Sequence, residues 1–342
     1  MLFIENYFEI LDKLRKENGV FRASASEAYN ATWIRDNYWC NRAYLKKYPE
    51  KYLQTCQTHL DFLLKWEREY DNKISWIEKD PDLYRQPSRF IHPKVNFDGS
   101  EIEGLEWQFL QLDTIPYLIL MMYHAQEAGL NPFTSLEDRV VVQKLINALE
   151  AIGYWENDMA HSWEEERAIF TSNLGLCIRA IEASYEMGFE INHSKLRKAR
   201  LKFWEQFPFE RDGRDWDLSL LFICAIDGLL KPVDIEEIVF GVQMELDREH
   251  GVIRYKGDEY KPFSQEVDCP TEMEWQMGFG YLAYIYASLG YKEVANVYLD
   301  KLKVWGANIP EGTNDKGQPC LNSPLAWSVA MAASAQNLLE GI

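Results

Sequence analysis

Positive charge is scarce in this 342-residue chain: 36 Lys and Arg stand against 54 Asp and Glu, a formal net charge of -18. That balance repels nucleic-acid phosphates and anionic lipid, and no Lys/Arg cluster offsets it, so neither is expected as a partner and a neutral or cationic substrate is favoured. Long apolar runs are missing too, and nothing reaches the roughly 18 consecutive apolar residues of a membrane span. The opening MLFIENYFEILDKLRKENG has acidic residues from Glu5 onward and an amphipathic pattern in place of a basic start and an apolar run, so no secretory leader and a cytoplasmic location are expected. The six cysteines (Cys40, Cys56, Cys177, Cys224, Cys269 and Cys320) lack CxxC spacing and read as reduced, mostly buried thiols. The six histidines (His59, His92, His124, His161, His193 and His250) lack ligand spacing, and GxxxxGK[ST], HExxH and GxSxG are all absent. GFGYLA at 278–283 is a loose GxGxxA, but EMEWQM precedes it where a dinucleotide site needs a β-branched strand. No metal and no cofactor are expected.

Aromatics are plentiful, with 12 Trp and 19 Tyr. Such rings mostly fill cores, yet Trp and Tyr also offer a flat apolar face with a polar edge, which suits a sugar ring. Apolar periodicity is helical in the long segments. Leu174, Cys177, Ile178, Ile181 and Tyr185 predict one amphipathic helix closed by Gly188, and Leu282, Ile285, Tyr286 and Leu289 another before Gly290. DTIPYLILMMYHAQEAG is apolar enough to be buried all round. Ser323 and Pro324 predict an N-cap and first-turn proline for a last helix, PLAWSVAMAASAQNLL. Strand-like runs are few and no Gly/Ser-rich linker divides the chain, so residues 1–342 are expected to form one domain. The length leaves room for about a dozen helices; counting alone leaves a barrel, a bundle and a solenoid open.

Four loops pack charged residues among Trp, Tyr, Gly and Pro: ATWIRDNYW, KVNFDGSEIEGLEWQFLQLD, HSWEEERAIFTS and NIPEGTNDKGQPCLNSPLAWS. Polar groups beside large aromatics between buried helices suggest a cleft. Glycoside hydrolysis needs one carboxylic acid to protonate the leaving oxygen and one carboxylate to activate water or attack the sugar. In WEEE, the neighbouring Glu165 and Glu166 and the bulk of Trp163 would disfavour ionisation of an enclosed Glu164, which suits the acid. Each feature also has a plainer reading. Glu164 to Glu166 can be an acidic helix start, Glu311 a solvated turn residue, and Arg35 with Asp36 a structural ion pair.

In combination these segments resemble glycoside hydrolase family 15, the glucoamylases, and the related phosphorylase kinase α-subunits, over nearly the whole chain. GVFRASASEAYNATWIRDNYW is similar to the family segment in which Trp, Arg and Asp hold the terminal glucose, here Trp33, Arg35 and Asp36. KVNFDGSEIEGLEWQFLQLD resembles the next, supplying Lys94, Asn96, Trp107, Gln111 and Asp113. SWEEERAIFTSNL resembles the general-acid loop, which implies Glu164 as the acid, with Trp163 and Glu165 beside the substrate. IRYKGDEY resembles the Arg-Tyr binding loop and brings Arg254, Tyr255, Asp258 and Tyr260, with Trp275 following. IPEGTNDKGQPCLNSPLAWSVA resembles the carboxyl-terminal signature, which implies Glu311 as the catalytic base. His161 stands near the acid loop where many fungal relatives carry Asp.

The resemblance implies an all-α fold, an (α/α)6 barrel or six-hairpin toroid. It implies an inverting exo-acting α-glucosidase that releases β-glucose from the non-reducing end of short α-glucans or α-glucosides. Two alternatives stand beside this: a non-catalytic sugar-binding or regulatory barrel like the kinase subunit, and a hydrolase of another saccharide such as trehalose. Retention of both carboxyls weighs against the first. The expected partner is an oligosaccharide or small α-glucoside; nothing in the pattern fixes an oligomeric state.

Overall fold

A computed structural model describes residues 2–341 except 71, 81, 83, 84, 87, 88 and 105–108. The helices are α1 (Leu2–Leu14), α2 (Ile34–Tyr44), α3 (Pro49–Glu69), α4 (Lys73–Lys79), α5 (Thr114–Glu127), α6 (Leu136–Ile152), α7 (Thr171–Glu186), α8 (His193–Gln206), α9 (Leu220–Cys224), α10 (Pro232–Leu246), α11 (Gln276–Ser288), α12 (Lys292–Lys303) and α13 (Ala326–Glu340). Among the described residues five two-residue strands accompany them: β1 (Thr32–Trp33), β2 (Lys94–Val95), β3 (Val252–Ile253), β4 (Glu274–Trp275) and β5 (Gly312–Thr313).

Packing sorts the helices into two rings. α2, α5, α7, α9, α11 and α13 each touch the next, and α13 closes back on α2. Outside them lie α1 on α13, α3 on α2 and α5, α6 on α5 and α7, α8 on α7, α10 on α9, and α12 on α11 and α13; α4 is an extra helix between α3 and α6. This is the expected (α/α)6 barrel. Composition explains the sorting. α8 buries only the stripe Leu196, Ala199 and Phe203 and keeps its Lys and Arg in water, whereas every residue of α9 is buried. α5 is buried from Thr114 through Ala125, as its apolar start predicts. Among the described residues no helix is long and apolar enough to cross a membrane.

Two expectations need correction. α7 is not one-faced: all but Glu182 is buried from Thr171 to Ser184, while Tyr185 is 60% exposed. Small residues account for this, since a Cβ on Gly175 would lie 2.8 Å from Ile223 of α9. Large-residue periodicity does not register such a face. Ser323 does not cap the last helix either. Its Oγ bonds to the Asn308 carbonyl, and α13 begins at Ala326, held by Leu325 N–H to Ile309 O and Ala326 N–H to Ala23 O, 2.9 and 2.8 Å.

Inside the inner ring, Trp39, Tyr117, Phe222, Tyr281 and Trp327 form an aromatic column, with Phe222 5.0 Å from Tyr281 and 5.1 Å from Trp327, ring centre to ring centre. Their polar edges are satisfied within the column: Trp327 Nε1 donates to Tyr281 Oη (2.9 Å) and Trp39 Nε1 to Tyr117 Oη (3.3 Å). Gly280 lets α11 approach α13 here, since a Cβ at this position would sit 2.7 Å from Met331 Cβ. Gly280→Val should therefore lower stability by about 1–3 kcal/mol through overpacking, despite valine's better helix propensity. A urea midpoint equal to wild type would show that the two helices separate at no cost.

Candidate active site

The short strands tie together the loops that lead into the inner helices. β1 pairs with β2 (Trp33 opposite Lys94) and runs straight into α2; β4 lies between β3 and β5 (Glu274 opposite Ile253 and Thr313) and runs into α11. The loop before α7 is a small hairpin, closed by reciprocal Met159–Ala168 backbone bonds of 3.1 Å and held by Ala160 to residues 110–112. Around these helix starts opens a cavity of about 420 Å³. Its walls carry Trp33, Arg35, Asp36, Lys94, Trp163, Glu164, Glu165, Arg254, Tyr260, Trp275 and Glu311, with Tyr29 and Trp327. Trp327 links the cavity to the aromatic column beneath it.

Glu164 stands at the hairpin tip with φ 64°, a left-handed conformation rare outside glycine, and its N–H bonds to His161 O at 2.9 Å. Its carboxyl accepts from Trp33 Nε1 (3.0 Å) and Arg35 Nη2 (3.3 Å), and from the Gln111 amide. Burial raises its pKa above the ordinary glutamate value, with Asp113 adding to the rise, although Arg35, Trp33 and Gln111 pull the other way. The two neighbouring glutamates turn to partners of their own. Glu165 turns to Arg254 (2.6 Å) and Tyr255, and Glu166 turns outward to Arg211 and Arg214. The loop is also no helix start, because α7 begins only at Thr171.

Glu311 has a different setting. Its backbone is pinned by Glu311 N–H to Asn322 O (2.9 Å) and Gln276 N–H to Glu311 O (3.1 Å). Its carboxyl accepts from Tyr29 Oη (2.7 Å), Asn322 Nδ2 (2.7 Å) and, more loosely, Tyr260 Oη (3.4 Å). These three neutral donors and the more distant Arg254 favour ionisation, yet burial outweighs them and leaves the pKa raised. Asp36 lies between the two acids electrostatically. Burial, Glu164 and Glu311 together overcome Arg35 and push it up to about 7.

Two buried arginines organise the rest. Arg35 Nη1 donates to Asp113 (3.0 Å) and Gln111 (3.2 Å), and its guanidinium lies 5.4 Å from the centre of the Trp327 ring. Arg254 binds Asp258 with Nε at 2.6 Å and sits within 5.3 Å of the ring centres of Trp163, Tyr260 and Trp275. Behind Trp163, Asp217 accepts its indole N–H at 2.7 Å and two bonds from Ser219. Buried His161 stacks on Phe170 with ring centres 3.9 Å apart. Among the described residues no set of His, Cys, Asp and Glu converges as metal ligands.

The family model for glycosyl hydrolases family 15 matches residues 11–187, just over half of the chain. The chain belongs to glycosyl hydrolase family 15. It is therefore a glycoside hydrolase, and the matched span includes the hairpin that carries Glu164. A curated relative, the probable phosphorylase b kinase regulatory subunit alpha of Drosophila melanogaster, is 21% identical over 336 residues, an alignment covering 83% of this chain and 26% of the relative. The chain thus spans about a quarter of that relative's length. A solved wild-type glycosidase superposes with a TM-score of 0.78 at 17% identity, covering 99% of this chain and 96% of the other. A glucoamylase from Saccharomycopsis fibuligera gives a TM-score of 0.70 at 13% identity, covering 99% and 93%. Both likenesses concern the fold.

The family 15 barrel brings most of the residues named from the sequence into one cavity, while Gln111, Asp113, Tyr255 and Asp258 are set behind it. Asp258 is buried against Arg254, and Asn96 is exposed, donating to Ser100 Oγ and Glu101 O. Gln111 and Asp113 are fully buried behind Arg35, and Tyr255 stands behind Glu165 with Arg214 over its ring. Trp107 lies outside the described residues. Tyr29, Asn322 and Trp327 were not singled out as site residues in the sequence, although the quoted segments contain all three. A Tyr four residues before Trp33 and an Asn eleven after Glu311 carry no spacing signal; only the fold joins Tyr29 to Glu311 across 282 positions.

Proposed function

We propose that this family 15 hydrolase is an inverting, exo-acting α-glucosidase that releases β-glucose from the non-reducing end of short α-glucans or α-glucosides, with Glu164 as general acid and Glu311 as general base. The observation that carries the reading is the presence of two buried carboxyls in one cavity, each with a different set of partners. Burial raises the pKa of Glu164 and so favours the protonated form the acid needs, and Trp33, Arg35 and Gln111 then receive the carboxylate it becomes. Tyr29, Tyr260 and Asn322 orient Glu311, with no directly bonded cation among the described residues, which leaves the carboxylate basic enough to take a proton from water. Asp36 and Arg254 supply hydroxyl contacts, and the Trp33, Trp163 and Trp275 rings supply sugar-facing surface. A cavity backed by Trp327 and the column suits removal of one terminal unit. The catalytic unit is a single domain over 1–342, and its free thiols suit the cytoplasm.

Incubation with a panel of α-linked glucose disaccharides, followed by NMR of the first product, tests the reading. β-Glucose is expected. α-Glucose as the first product would overturn inversion, and no glucose from any member would overturn the glucosidase assignment.

The pH profile offers a separate check. Glu164 must be protonated and Glu311 ionised, so kcat/KM should be bell-shaped, falling at high pH as Glu164 loses its proton and at low pH as Glu311 gains one. Because burial raises both groups, both limbs should lie above the ordinary glutamate value of 4.5. Glu164→Gln should remove the alkaline limb for a substrate that needs no protonation. Rates unchanged between about pH 4 and 9 would exclude this pair.

A further inference from the structure

Among the described residues only Asn72 and Glu164 take a positive φ without being glycine, and such a backbone persists only where its surroundings over-determine it. Around Glu164 those surroundings converge on one residue outside the cavity wall, Asp217, which has no exposed surface. Asp217 Oδ1 accepts at 2.7 Å the indole N–H of Trp163, the residue before Glu164. Its Oδ2 accepts from Arg214 Nη1 at 3.3 Å, and Arg214 Nη2 reaches Glu166, two residues after Glu164, at 2.6 Å. The same guanidinium lies 3.5 Å from the centre of the Tyr255 ring, whose hydroxyl donates to Glu165. Arg214 is itself fixed on a tight turn closed by reciprocal Arg211–Arg214 backbone bonds of 3.1 Å.

We propose that Asp217 is a positioning residue for the general acid, anchoring the 163–166 turn from behind on both sides of Glu164 and so aiming the Glu164 carboxyl at the leaving oxygen. This rests on the reading of Glu164 as the acid. A plainer role is open to Asp217, since its Oδ1 also accepts Ser219 N–H (2.8 Å) and Ser219 Oγ (2.7 Å) and so shapes the turn into α9. That role needs Ser219 alone. It does not account for the same carboxylate also taking the Trp163 indole and the Arg214 guanidinium, one on each flank of the acid.

The second anchor depends on charge. Burial works against ionisation of Asp217, but the His161 imidazole at 3.8 Å, Arg214 and the Ser219 N–H outweigh it and hold its pKa low. Burial and Asp217 together push neighbouring Glu210 up, so Asp217 is the ionised member of the pair. In Asp217→Asn the amide oxygen can still accept from Trp163 and Ser219, which keeps the first anchor and the turn into α9. The amide nitrogen offers Arg214 nothing. Glu166 and Tyr255 then lose a fixed partner, and Glu164 is free to leave its left-handed backbone.

Steady-state kinetics on an α-linked glucose disaccharide and on α-glucosyl fluoride test the assignment. Asp217→Asn should lower kcat for the disaccharide roughly 10- to 100-fold, the cost of misplacing a catalytic group by about 1 Å, with KM little changed because Trp163 stays in place. The fluoride, which needs little protonation on departure, should be slowed much less. Added to Glu164→Gln, Asp217→Asn should cost the disaccharide almost nothing more, since the group it positions is already disabled. Arg214→Met, which removes the charge and keeps the bulk over Tyr255, should show the same two contrasts, and it decides alone if Asp217→Asn does not fold. A folded variant with wild-type kcat and only a lower urea midpoint would overturn the proposal, because Asp217 would then serve the fold alone. So would equal slowing of both substrates, or effects that multiply with Glu164→Gln. A substrate contrast present in Glu164→Gln but absent from both variants overturns this proposal and leaves the acid standing, whereas its absence from Glu164→Gln overturns the acid reading and this proposal with it.

Discussion

Glu311→Gln should slow hydrolysis of α-linked disaccharides and of α-glucosyl fluoride alike, each by a factor on the order of 10² to 10⁴. Both reactions need an activated water, and an amide cannot take its proton. The substitution keeps the side chain's size, and the amide oxygen can accept from Asn322 Nδ2 while the amide nitrogen donates to the Tyr29 hydroxyl, so the cavity should survive and only the base be lost. Glu164→Gln should behave differently. Loss of the proton should cost the disaccharide a similar factor while leaving the fluoride much less affected, since fluoride departs with little protonation. The amide oxygen introduced by Glu164→Gln can still accept from Trp33 and Arg35, so the cavity should survive the change. The contrast between substrates is the diagnostic result, because a merely destabilised site would lose both activities together. Full disaccharide activity in either variant would remove that residue from the mechanism.

The sequence foretold the parts of this molecule that depend on local pattern. An apolar run such as Thr114–Ala125 can only be buried on all sides, and it is an inner helix. The tight Trp33, Arg35, Asp36 and Trp163, Glu164, Glu165 groups sit on turns that a short strand pair and a hairpin hold in place, so residues close in sequence remain close at the cavity. Features that depend on distant partners were hidden. The periodicity of α7 reports only its large residues, while Gly175 packs against the next inner helix and Ser172 is buried against Glu210. For Glu164 the rise expected on enclosure is present, with burial as its largest cause. Glu165 and Glu166 point to their own arginines, and desolvation within the barrel, which no local pattern records, raises the acid. Tyr29 reaches Glu311 because α2 and α13 are neighbours in a closed ring, whereas Asn322 reaches it across a local hairpin in which Glu311 N–H bonds to Asn322 O.

Arg35→Ala should be the most damaging single change outside the two acids, and for two separable reasons. Asp113 has no exposed surface, its Oδ1 has no partner among the described residues, and its Oδ2 is held by Arg35 Nη1 at 3.0 Å and Ser162 Oγ at 2.9 Å. Deleting the guanidinium strands that carboxylate in the barrel, and breaking a buried pair from one side typically costs about 3–5 kcal/mol. The same guanidinium also touches Glu164, whose ionised form it favours. Its removal should raise the pKa of Glu164 further and move the alkaline limb of the kcat/KM profile to higher pH. Arg35→Lys separates the two effects. A single ammonium retains positive charge near Asp113, so most of the stability should return, but it lacks the fork that reaches Asp113, Gln111 and Glu164 at once. Activity in Arg35→Lys should therefore stay low while the urea midpoint recovers, with the alkaline limb still displaced upward. If Arg35→Ala matched wild type in both stability and pH profile, the buried Asp113–Arg35–Glu164 chain would have no part in holding the barrel or tuning its acid.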